Sequence, residues 1–178
     1  MNDTLTNSKL RLIVRELLDM SENAVRPAMQ NAPIIKGEEY ATVQIVSEIA
    51  EGWDDAVMTP LAKSVLVAAE RMSGIRLVSV QIQYFNGDAI SRLRLLSDRF
   101  QSAVGTQMFE DAGMGFSFVS GVQDLTGLLS DEEWQSRAVM KLDVYVEHED
   151  YVRTPLIVQL PIAIASDDGQ TRESEVTT

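Results

Sequence analysis

The chain holds one histidine, His148, inside the acidic run Glu147-His148-Glu149-Asp150. These residue types suit a metal ion or a general acid and base. A metal site built here would need His148 and neighbouring carboxylates on one side of the backbone. Along a strand, successive side chains point to opposite faces. His148 therefore shares a side with Met140, Leu142, Val144 and Val146, not with Glu147 or Glu149. Asp143, Glu147 and Glu149 do fall on one face, and two such carboxylates could serve as acid and base if one pKa were raised. A hydrated acidic face is the simpler reading. Nucleotide and nucleophile motifs are missing too. No Gly-x-x-x-x-Gly-Lys loop occurs, and Gly113-Met114-Gly115 lacks the third glycine and the preceding strand of a dinucleotide fingerprint. Neither Ser73-Gly74 nor Ser120-Gly121 sits in a nucleophile elbow, and His148 is the single base available to a serine. The expectation is a protein with no catalytic, cofactor-binding or metal site, and not an enzyme.

Composition narrows the classes further. The chain has 178 residues, which suits one domain and a sizeable core, and it has no cysteine, which excludes disulfides, thiol catalysis and thiolate metal sites. Lys and Arg number 15 against 27 Asp and Glu, a net charge of −12. Such a field repels phosphate backbones and disfavours a grip on nucleic acid. The start, Met1 to Asn7, is polar and unlike a signal peptide, and no run approaches the ~18 apolar residues of a membrane helix. A soluble protein that stays where it is made is expected.

The elements that would position these residues follow from periodicity. Leu10, Ile13, Val14, Leu17 and Leu18 form the stripe of an amphipathic helix over Ser8 to Met20. The segment to Glu39, with Pro27, Pro33 and Gly37, reads as a long connection. Tyr40 to Ala50 reads as a strand ended by Gly52-Trp53-Asp54-Asp55. Thr59 to Met72 fits helix or strand by period, and an extended, hairpin-like excursion is the reading adopted. Val78, Val80, Ile82 and Tyr84 alternate with Ser79, Gln81 and Gln83, a strand with one wet or interfacial face. Asn86-Gly87-Asp88 is a turn, with Asp88 capping a helix that carries Ile90, Leu93, Leu96, Phe100 and Val104. Gly105, Gly113 and Gly115 mark a loop, and a short strand starts at Phe116 and runs towards Asp124. Leu125 to Ser130 is a connection, and Ser130-Asp131-Glu132-Glu133 has the form of a capping box opening a short helical turn, with Trp134 as a lid on the core. Arg137 to Glu149 is the longest alternating strand, Thr154 to Ala165 an extended edge arm, and the acidic end a solvated tail. The fold class is α+β: two amphipathic helices packed on one face of a mostly antiparallel sheet. The division is one domain over 1–165 and an acidic flexible tail over 166–178.

Several of these segments also resemble a family. The first helix, the strand Tyr40-Ala41-Thr42-Val43-Gln44-Ile45-Val46-Ser47, and Val78-Ser79-Val80-Gln81-Ile82-Gln83-Tyr84-Phe85-Asn86-Gly87-Asp88-Ala89 are similar to the neck or tail terminator proteins of tailed bacteriophages. Val122-Gln123-Asp124-Leu125-Thr126, followed by Trp134-Gln135-Ser136-Arg137-Ala138 and the last core strand, resembles the same family. The excursion between Gly52 and Gly74 and the extension after Asp150 depart from its pattern. The resemblance implies a structural virion protein, assembled in the host cytoplasm. It implies a homo-oligomeric ring, commonly a hexamer, that caps the head-proximal end of the tail tube, stops its growth and offers a surface to the head-tail connector. Implied partners are the tail tube protein, the sheath protein in contractile tails and the connector, with genomic DNA passing through the ring unbound and no membrane involved. A further pattern bears on partners. Arg11, Arg15, Arg92, Arg94 and Arg99 place positive charge on the helices, where it could meet an acidic face of an identical neighbour. The alternatives are a head-tail connector or other neck adaptor, a tube protein, an acidic module that mimics DNA, and a hydrolase using Asp143, Glu147 or His148. The acidic residues are spread along the chain instead of forming the single stripe that mimicry predicts.

Overall fold

A computed structural model describes residues 3–28, 37–60, 67–130, 133–155, 159–165 and 171–177. The first apolar stripe winds α1, Asp3–Leu18, which starts before Ser8 and buries Leu10, Ile13, Val14, Leu17 and Leu18. At its end the Arg99 guanidinium donates to the Leu17 carbonyl, one of the acceptors a helix C-terminus leaves without an internal partner. A 3-10 turn, Glu22–Ala24, leads into a three-residue strand β1, Val25–Pro27, within the segment read as a connection. β1 runs parallel to β2, Tyr40–Pro60, with Val25 opposite Ala41 and Pro27 opposite Val43. Pro27 is tolerated there because an edge strand has one side that needs no donor.

β2 does not end at Gly52-Trp53-Asp54-Asp55, as the sequence suggested. Gly52 takes φ = 84°, a conformation that costs glycine little, and the strand continues to Pro60. β3, Val67–Phe85, follows. The hairpin-like excursion is thus two extended strands, with residues 61–66 of it outside the described set. The turn at Asn86 and Gly87 has φ of 66° and 53°, and Asp88 caps α2, Ala89–Phe100, by accepting from the Ser91 amide at 3.2 Å.

The second helical stripe breaks where the sequence reading continued it. Ser102 caps a separate α3, Ala103–Asp111, accepting from Gly105 N at 3.2 Å. Val104 consequently faces solvent, and Gly105 lies inside a helix and not in a loop. The reason is close approach: a Cβ on Gly105 would strike the Arg99 carbonyl oxygen and the Phe100 backbone. Only glycine lets the two helices meet at that angle. Among the described residues three α-helices therefore cover the sheet instead of two.

β4, Met114–Val119, and β5, Gln123–Asp124, follow α3. Of the capping box, Asp131 and Glu132 lie outside the described residues, and neither Ser130 nor Glu133 is helical. Instead β6, Gly127–Ser130, and β7, Glu133–Gln135, pair antiparallel, Leu128 opposite Trp134. A motif of four residues loses to cross-strand pairing when the flanking segments can join as a hairpin. β8 spans Arg137–Pro155, longer than its alternating pattern. The strand order is β1-β2-β3-β8-β4, with β5 also paired to β8, and β4 and β5 both run antiparallel to β8.

One face of this sheet is dry. Val78, Val80, Ile82 and Tyr84 of β3 and Ala138, Met140, Leu142 and Val144 of β8 pack with Leu93, Leu96, Phe100 and Phe109 of the helices. Each fully buried Leu, Ile or Phe contributes about 1.5–3 kcal/mol, so this layer outweighs any single polar contact in the domain.

The chain divides into two compact units, Met1–Trp53 with Gly74–His148, and Asp54–Ser73 with Glu149–Thr178. Within the second, Arg71 pairs with Glu149, and the Tyr151 hydroxyl donates to Glu149 at 2.9 Å. β9, Gln159–Ala165, and β10, Thr171–Thr177, form an antiparallel pair with Ala165 opposite Thr171. The segment read as a solvated tail thus contains β10.

Two outcomes test this account. Gly105→Ala is expected to destabilise the fold by about 1–3 kcal/mol through overpacking, measured by urea unfolding. The Asp88 carboxyl is held below the usual range by its hydrogen bonds from Ser91, with Arg94 adding attraction. A depressed folded pKa means that the cap's contribution is present above the unfolded carboxylate value and is lost as pH falls through the folded one. Asp88→Ala should lose the cap at every pH, whereas Asp88→Asn should keep it and flatten the acid-side decline, followed by denaturation between about pH 3 and about pH 7.

Candidate assembly interface

Opposite the dry face, the sheet presents a polar one that no described helix covers. Ser79, Gln81 and Gln83 of β3 are half-buried there, beside Thr42 of β2 and Asp143 of β8, in keeping with the wet or interfacial face expected. Ser79 Oγ donates to Asp143 Oδ1 at 2.6 Å, joining the two central strands. Toward the far end, Arg137 Nη2 donates to Gln83 Oε1 at 2.6 Å and its guanidinium lies 5.1 Å from the Phe85 ring centroid. Tyr40 stacks on the same ring, centroids 4.5 Å apart and planes within 7°. The Asn86 amide donates to the Ser136 carbonyl at 2.8 Å, so the turn before α2 is tied to the approach to β8.

At the start of β2 a second polar cluster crosses to the helices. The Tyr84 hydroxyl donates to Glu39 Oε2 at 2.5 Å, and Arg92 Nε lies 3.5 Å from that oxygen. Burial, and then the Glu39 carboxylate as hydrogen-bond acceptor, push the Tyr84 hydroxyl well above the usual phenol range. It stays a donor at any ordinary pH.

The residues singled out for chemistry are dispersed. His148 is half-buried while Glu147 and Glu149 are exposed, as strand alternation requires. The His148 Nδ1 atom is buried with no hydrogen-bond partner, Asp143 is engaged by Ser79, and Glu149 by Arg71. Among the described residues no three of His, Asp and Glu are grouped to hold a metal ion. Trp134 is not a core lid. It stands exposed on β7, and Arg137 covers Phe85 instead. The helix arginines do not form one open basic face. Arg99 holds Leu17, Arg92 lies against Glu39, Arg11 donates to Ser8 Oγ at 3.1 Å, and Arg15 is 3.8 Å from Glu16. Arg94 is exposed beside Asp88.

Sequence periodicity missed the Tyr40, Phe85 and Arg137 stack, because the three residues come from strands distant in sequence. It also missed the row of exposed apolar residues on β2, since a strand's outer edge and its covered middle carry the same residue types.

The architecture is that of an α+β domain whose polar sheet face and open edges, more than any enclosed cavity, are available for contact. The family described as phage neck terminator protein matches residues 8–170, and the chain belongs to that family. Its place is accordingly the neck region of a bacteriophage. Compared with curated proteins, the chain has no match. No helix among the described residues is long and apolar enough to cross a membrane.

The Arg137 cluster gives a direct test. Arg137→Ala is expected to cost about 1–2 kcal/mol of stability from the lost hydrogen bond and ring contact. Arg137→Lys should recover only part of it, because an ammonium lacks the planar fork that spans Gln83 and Phe85 together. Paired urea melts of the two variants measure this.

Proposed function

We propose that this chain forms a ring at the head-proximal end of the phage tail tube, ends tube polymerisation there and provides the surface to which the head-tail connector attaches. The observation that carries the reading is the family match over residues 8–170, nearly the whole chain. The fold is compatible in three respects. One sheet face is polar and lacks a helix among the described residues. The sheet is open, so its two edges are available to neighbours. The net charge of −12 would let DNA pass an opening in the ring without being held. In this reading the partners are further copies of the chain, commonly six in all, the tail tube protein, the connector and, in contractile tails, the last layer of sheath. The chain acts by assembly, with no catalytic step of its own.

Negative-stain electron microscopy of the purified chain, alone and mixed with the tail tube protein, tests this. Closed rings, or single caps at tube ends together with shortened tubes, are expected. A uniform field of monomers with bare tube ends of unchanged length would overturn it.

A further inference from the structure

Resting on that ring reading, we propose that the ring closes by strand addition: the outer edge of β2, Val46 to Trp53, pairs with the outer edge of β4, Met114–Val119, of the next copy. The sheet would then run on from subunit to subunit. β2 has a neighbour on its outer side only where β1 lies against Ala41 to Val43, and among the described strands none flanks it from Val46 to Trp53. β4 ends the strand order at the other side. An uncovered edge presents N–H and C=O groups in the row that a further strand requires.

Both edges leave large apolar side chains in water. Ile49 is 58% exposed, Trp53 99% and Phe118 59%. An indole fully in solvent gains most from a partner, since its wide apolar surface is what contacts between chains bury. β4 is six residues long, short enough to lie wholly along Val46 to Trp53.

Charge and symmetry select this pairing over the other two. Glu51 sits exposed on the β2 stretch, while Glu48 lies against Arg76, so β2 against β2 of a neighbour would bring the Glu51 carboxylates of the two copies onto one seam. Met114 to Val119 contains no charged residue, so β4 meets the acidic edge without repulsion. β4 against β4 would be isologous and stop at a dimer. β2 against β4 is heterologous and leaves one edge of each kind open, as a closing ring requires.

The absence of cysteine in the chain makes a direct test available. β3 and β8 separate the two edges, so within one chain the edge residues are roughly 14 Å apart at about 4.8 Å per strand. A disulfide reaches only about 7 Å between Cα atoms, so a link between the edges must join two copies. Ile49→Cys, Glu51→Cys or Trp53→Cys, each combined with Ser117→Cys or Phe118→Cys, sample adjacent registers at exposed positions. Mild oxidation of the assembled full chain is expected to give, for at least one combination, a ladder of linked copies on a non-reducing gel. Each single variant should stop at dimers. In parallel, Phe118→Glu should break rings into subunits with unchanged circular dichroism, and adding Glu51→Lys should restore them. Rings that form while every combination fails to link, or that survive Phe118→Glu, overturn strand addition and leave the ring reading standing. Failure of the unaltered chain to form rings or tube caps overturns both.

Discussion

Where β3 and β8 lie side by side, Ser79 Oγ bonds to Asp143 Oδ1 on the open face while Val80, Ile82, Leu142 and Val144 drop into the core on the other. These two strands carry most of the apolar alternation, so their register decides which side of the sheet is dry. A slip of one residue would turn Gln81, Gln83, Lys141 and Asp143 toward the helices, each burial costing more than a hydrogen bond returns. The Ser79 and Asp143 contact holds the register from the polar side. The helices add the same constraint from the apolar side, because Leu93, Leu96, Phe100 and Phe109 have no other surface to cover.

Much of the positive charge on the helices holds this layer together. Arg99 closes the end of α1 and Arg92 reaches Glu39, which in turn receives the Tyr84 hydroxyl from the end of β3. With those guanidiniums engaged inside the domain, the surface keeps the acidic character of the whole chain. Contacts with neighbours would then come from strand edges and apolar side chains more than from opposite charge. An open sheet with exposed aromatic edges is a hazard for a protein meant to stay monomeric. The same edges are an asset to a protein that assembles.

The elements that alternation or a long apolar stripe dictates were legible from residue order alone. α1, the second half of β3, the Asp88 cap and the greater part of β8 follow from local period and from one capping side chain. Elements set by contacts from elsewhere were not. The break between α2 and α3 depends on the Arg99 carbonyl passing where a Cβ at position 105 would sit, and no helical period reports that. The β6 and β7 hairpin overrode a capping box because both signals are weak and pairing decided between them. β1, three residues long, exists only because β2 offers it an edge.

For the candidate interface the division is the same. The order of residues determined that the sheet would have one apolar and one polar face, that His148 would be parted from its acidic neighbours, and that the surface would be negative, because strand alternation and net charge are local or additive properties. The tertiary structure alone decided that Arg137 would lie over Phe85, that Trp134 would face solvent, and that Val46 to Trp53 and Met114 to Val119 would form the two outer edges of one sheet. Strand order is a non-local outcome of packing: the same alternating segments could pair in several orders, and the one that buries the common apolar face is settled only when all the strands and helices are in place.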